Sequence, residues 1–67
     1  MEAKYMMNET FILNRDDYRD FTNRVMILKS RGEEAPYLVE HDYIQDTFEV
    51  TLLDKRYTLK NVMEKTS

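Results

Sequence analysis

The apolar stripe of residues 18–28 limits what this chain can become more than any other stretch. Tyr18, Phe21, Val25 and Leu28 recur at spacings of three, four and three, which places them on one side of an α-helix. Both ends of that helix are marked. Asn14 is suited to accept an orphan backbone N–H at the start, and Asp16 and Asp17 lie at the positive end of the helix dipole. Lys29 and Arg31 occupy the last turn, and Gly32 suits the left-handed residue that ends many helices. Asp20 and Arg24 form an i,i+4 pair on the outer side. A helix with a single apolar stripe needs a surface to bury it against.

The surface is supplied by residues 47–53, where Phe48, Val50 and Leu52 alternate with Thr47, Glu49 and Thr51 at the period of a half-buried strand. Residues 7–13 show a weaker alternation through Met7, Phe11 and Leu13 and are read as a first strand, with residues 1–6 a loosely attached extension. After Pro36, residues 37–41 are rich enough in aromatic and branched side chains to form a second strand. A turn over residues 42–46 joins it to the third. A two-residue turn at Asp54 and Lys55 predicts a fourth strand over residues 56–61, with Thr51 opposite Thr58 and Glu49 opposite Lys60. Residues 62–67 read as a frayed tail or a short helical turn. The expected architecture is α+β, in the order β-α-β-β-β: a small antiparallel sheet with one helix packed on its apolar face. The first strand has no fixed neighbour on this reading.

Sixty-seven residues make one small domain, 1–67, which buries only about 60% of the surface of its unfolded chain. Domains this small often lean on disulfides, a structural metal or a partner subunit. There is no Cys and only one His, so a homodimer is the remaining expectation. Absence of Cys fits a reducing compartment, and no apolar run approaches the roughly 18 residues of a membrane span. With no signal-peptide layout at residues 1–5, the expected location is cytoplasmic and no membrane partner is expected.

Charge is distributed unevenly. Residues 32–54 carry seven carboxylates and no Lys or Arg, while residues 55–67 carry four basic side chains and one acidic. The net charge of −3 therefore hides a strongly acidic segment. Glu49 is expected to be matched by Lys60, leaving Glu33, Glu34, Glu40, Asp42 and Asp46, with Tyr37, Tyr43 and Ile44 among them, as a partner-binding patch. Acidic clusters steer association with basic surfaces, and Tyr is enriched as an anchor at interfaces. The bland alternative is a solvated face that keeps a small sheet soluble. Ile27 falls opposite the apolar stripe, as an ordinary exposed Ile or a dimer or second-interface contact.

Chemistry is poorly represented. His41 lies between Glu40 and Asp42, but neighbours along a strand point to opposite faces and cannot converge on one ion. A zinc site takes three or four ligands, so no metal and no cofactor is expected. With Ser30 and Ser67 the only serines and one glycine in the chain, neither a nucleophile triad nor a phosphate-binding loop is in evidence. No catalytic residue is assigned and the chain is not read as an enzyme. Arg15, Arg19, Arg24, Lys29 and Arg31 lie on the helix, but Asp16, Asp17 and Asp20 interleave with them, so direct nucleic-acid binding is disfavoured. The reading that follows is a non-enzymatic interaction module, a small acidic inhibitor or regulator of a basic partner, with a nucleic-acid mimic as its limiting form. A small homodimeric structural or regulatory subunit is the alternative, and nucleic-acid binding through the helix arginines a weaker one.

Overall fold

A computed structural model describes residues 9–67. Residues 1–6, and the expected start of the first strand at Met7, lie outside that range. The helix is α1, Arg15–Ser30, and its ends are built as the sequence indicates. Asn14 Oδ1 accepts the Asp17 N–H at 2.8 Å. At the other end Gly32 adopts φ 87°, and the Gly32 and Glu33 N–H groups donate back to the Lys29 and Leu28 carbonyls. These two crossed bonds satisfy carbonyls that the helix end would leave open. Phe21 and Leu28 are fully buried, while Tyr18 and Val25 pack at the margin of the same cluster.

Among the described residues three strands form the sheet: β1, Thr10–Asn14; β2, Tyr37–Asp42; and β3, Thr47–Leu52. The order is β1-β3-β2 and both ladders are antiparallel. β1, whose position the sequence leaves open, pairs beside β3. Period-two alternation then fixes the faces. Phe11, Leu13, Val50, Leu52, Tyr37 and Val39 point to the α1 side, as does Phe48, whose ring is stacked on Tyr18 at 4.2 Å between centroids.

The α+β class, with a small antiparallel sheet carrying a helix on its apolar face, is what the structure shows. One element differs. The fourth strand is absent, and α2, Leu59–Lys65, takes its place. A turn precedes it, in which the Tyr57 N–H donates to the Asp54 carbonyl at 2.9 Å. Thr58 then caps the helix: its hydroxyl accepts from Asn61 N at 3.1 Å, and the Asn61 side chain accepts from Thr58 N at 3.0 Å. This reciprocal box does with Asn what Glu or Gln does in its commoner form. Leu59, Val62 and Met63 follow at i, i+3 and i+4, with Val62 fully buried. The physical reason for the difference is that both sides of β3 are occupied, by β1 and β2, so residues 56–61 cannot pair beside β3 as the expected hairpin requires. Thr51 is therefore bonded to Thr10, at 3.1 Å, and not to Thr58, and Lys60 lies on α2 away from Glu49's ladder.

The core joins both helices to one face of the sheet through Leu13, Phe21, Leu28, Ala35, Val50, Leu52, Tyr57 and Val62. α2 is tied to α1 by polar contacts as well. Arg24 donates to the Met63 carbonyl and the Thr66 hydroxyl, and Arg31 donates to the Lys65 carbonyl at 2.7 Å. Two of the helix arginines thus satisfy carbonyls at the end of α2. Among the described residues no helix is long and apolar enough to cross a membrane.

Candidate interaction surface

Both helices lie on one side, so the opposite face of the sheet has no covering element among the described residues. The register arranges it in three cross-strand rows. Ile12, Glu49 and Glu40 form the middle row, flanked by Thr10, Thr51 and Leu38 on one side and by Asn14, Thr47 and Asp42 on the other. Ile12 and Leu38 are 66% and 62% exposed. Glu40 and Glu49 stand directly opposite each other, and two shallow depressions in the face share them as lining residues. Like charges in that position repel. Among the described residues neither carboxylate has an ion-pair partner.

The remaining acidic side chains separate into different environments. Glu33 is drawn to α2 and the turn before it: the Tyr57 hydroxyl donates to its Oε1 at 3.0 Å and Lys65 Nζ lies 3.4 Å from the same atom. The Tyr57 bond, with help from Lys65, lowers the Glu33 pKa from its usual range, while burial pushes the Tyr57 phenol up. Asp54 is held by Arg56, whose guanidinium reaches Oδ2 at 2.7 Å and lowers the carboxyl in the same way. Part of the basic tail is thereby an intramolecular counter-charge for the acidic segment.

Asp46 closes the β2–β3 hairpin with a left-handed backbone, φ 55°, one of the few places where a non-glycine residue takes that conformation and where Asp is favoured. Arg15 grips it with two nitrogens at 3.0 and 3.2 Å, and His41 Nε2 lies 2.9 Å from Oδ1. The Arg15 bond, followed by His41, pulls the Asp46 carboxyl below its usual range. His41 also stacks on Phe48, at 4.3 Å and 10° between ring planes, so Tyr18, Phe48 and His41 form a column on the α1 side. His41 thus meets a carboxylate five residues away and neither of its sequence neighbours.

Of the patch expected from sequence, Glu40 and Asp42 lie on the open face. Asp42 also turns its carboxylate to the Ile44 and Gln45 N–H groups at 3.0 and 3.2 Å. Tyr43 and Ile44 project from the hairpin tip, 84% and 96% exposed, with the Tyr43 ring edge-on to His41 at 4.4 Å. Tyr37 is half-buried on the α1 side, its ring 5.2 Å from Phe21, and burial raises its phenol pKa. Glu34 is exposed in the loop before β2, and Ile27 is exposed on α1. The residues are therefore not one patch. Glu49, Ile12 and Leu38, absent from the expected set, join Glu40 and Asp42 through register alone. Their signal in sequence was the alternation of β3, which puts Glu49 on the face opposite Val50.

Among the described residues no group of three or more His, Asp or Glu side chains is placed to hold a metal ion. Among the described residues the fold and surface define a two-layer α+β domain with an acidic sheet face that neither helix covers. No family model, curated protein or solved structure matches the chain.

Proposed function

We propose that the chain is a non-enzymatic interaction module that docks on a basic surface of a partner protein and acts as a small inhibitor or regulator. The observation that supports this reading most directly is the Glu40–Glu49 pair in the middle of an uncovered face, between exposed Ile12 and Leu38. A like-charge pair works against the isolated sheet, and a partner's Lys or Arg placed between the two carboxylates converts that repulsion into attraction. The apolar flanks supply the desolvated contact that charge alone lacks. A basic groove that normally takes nucleic acid has the charge to fit.

The test is retention of a basic protein from host extract on the wild-type chain, with release by salt, compared with the double variant Glu40→Lys/Glu49→Lys. Loss of retention in the variant is the expected result, and equal retention by both chains removes the reading. A homodimer joined through the outer edge of β1, which has no neighbouring strand among the described residues and carries exposed Ile12, is the second reading. A scattering mass that stays at 8.2 kDa as concentration rises removes it.

A further inference from the structure

β2 is an edge strand, and its free edge has a definite pattern of backbone groups. The Leu53 N–H donates to the Pro36 carbonyl at 3.0 Å, so Pro36 and Leu53 are a hydrogen-bonded pair of the antiparallel ladder. Bonded and non-bonded pairs alternate along such a ladder. With Tyr37 opposite Leu52, Val39 opposite Val50 and His41 opposite Phe48, these three are the non-bonded positions, and their N–H and C=O groups point away from β3. No other element lies beside them among the described residues.

Natural edge strands are usually blunted by Lys, by Pro within the strand, by a bulge or by a covering element. β2 has none of these among the described residues: it reads Tyr37-Leu38-Val39-Glu40-His41-Asp42, with Pro36 just outside it, and Val39 remains 41% exposed on the α1 side. Its protection is negative charge alone, from Glu40 and Asp42 on the open face. That choice is selective. A second copy of β2 in antiparallel pairing brings four carboxylates together, whereas a basic strand meets the same two carboxylates as counter-charges.

We propose that β2 accepts an extended segment of the partner as a fourth strand, and that the segment alternates cations with apolar or β-branched residues. This rests on the reading that the partner is basic, and specifies how it binds. Main-chain bonds to Tyr37, Val39 and His41 supply the docking, as in other strand additions. On the open face the partner's cations stand beside Glu40 and Asp42, and an apolar side chain stands beside Leu38. On the α1 side a residue such as Val covers Val39. The β1 edge carries Ile12 but no acidic side chain within the strand, so it does not discriminate in the same way.

The probe is a capped hexapeptide, Lys-Thr-Lys-Val-Ile-Thr, written to lie antiparallel to β2 with its two Lys beside Asp42 and Glu40. Two methylated forms accompany it, one N-methylated at the second and fourth residues, whose N–H groups face β2, the other at the third and fifth, whose N–H groups face away. Binding to the full chain is followed at low salt by amide NMR. The expected result is slowed hydrogen exchange at the Tyr37, Val39 and His41 amides, with binding about tenfold or more weaker for the first methylated form than for the second. Equal binding of both forms with unchanged exchange overturns strand addition and leaves the basic-partner reading standing. Absence of binding by all three peptides overturns both.

Discussion

Glu40 faces Glu49 directly across the β2–β3 ladder, on the side of the sheet that neither helix covers. Because cross-strand pairs of this kind are worth about 0.2–1 kcal/mol, Glu49→Gln is expected to stabilise the free domain by a few tenths of a kcal/mol. The gain shrinks as salt screens the pair. Urea midpoints at low and high salt check this. Under the proposed function the same variant is expected to weaken binding to a basic partner, so that stability and binding move in opposite directions. A variant that loses both stability and binding contradicts the account.

The Thr58 cap stabilises the helical form of residues 59–65. Thr58→Ala is expected to cost about 1 kcal/mol, with Thr58→Ser close to wild type. Thr58→Val separates helix from strand: it raises strand propensity but deletes the capping oxygen. It destabilises the observed fold, with loss of helical circular dichroism. A rise in the urea midpoint on Thr58→Val points to the strand and against α2.

Leu28 is fully buried between α1 and the sheet. Leu28→Ala is expected to cost roughly 2–5 kcal/mol. A chain of this length has a total stability of only roughly 3–10 kcal/mol at typical values per residue. The variant should therefore be partly or fully unfolded at room temperature, whereas Ile27→Ala, one position away on the exposed side, changes little. Thermal melts of the two distinguish them.

Gly32 terminates α1 at φ 87°, and a Cβ built there meets nothing within 4 Å. Gly32→Ala is nevertheless expected to destabilise by about 1 kcal/mol, because the left-handed backbone itself disfavours an L side chain. Gly32→Asn, which tolerates that conformation better, should recover part of the loss. Denaturation midpoints of the pair test whether conformation, and not space, sets the requirement.

Glu33, Asp46 and Asp54 have pKa values lowered in the folded state, chiefly by bonds from Tyr57, Arg15 and Arg56 respectively. A carboxyl lowered on folding stabilises the native state above its unfolded value, about 4, and that contribution disappears as pH falls through the folded value. Stability is therefore expected to decline below about pH 4. Asp46→Asn should flatten the decline, as read by the thermal midpoint against pH. An unchanged slope in that variant removes Asp46 from the explanation.

Much of the fold is legible in local chemistry. The Asn14 cap, the Tyr18-Phe21-Val25-Leu28 stripe and the Gly32 stop involve residues within one or two turns of each other, and local hydrogen bonds settle them. The alternation of residues 47–52 likewise specifies a strand with one buried face. Residues 56–61 are different: their alternation suits a strand and their Thr58-Asn61 spacing suits a helix. Local preference leaves the two close, and occupation of both sides of β3 decides between them.

The candidate surface divides in the same way. Sequence alone determines that residues 32–54 are acidic, that residues 18–28 carry the apolar stripe of a helix, and that Phe48, Val50 and Leu52 share a face. Tertiary structure decides which carboxylates meet cations. Lys65 and Arg15 reach Glu33 and Asp46, while Glu40 and Glu49 are left facing each other; only the Asp54–Arg56 pair, two residues apart, is local. Lys65 and Glu33 are 32 residues apart, and Arg15 and Asp46 are 31 apart. Pairings at that separation depend on chain topology, and a cross-strand neighbour depends on register, so neither is encoded in the spacing of the residues that take part.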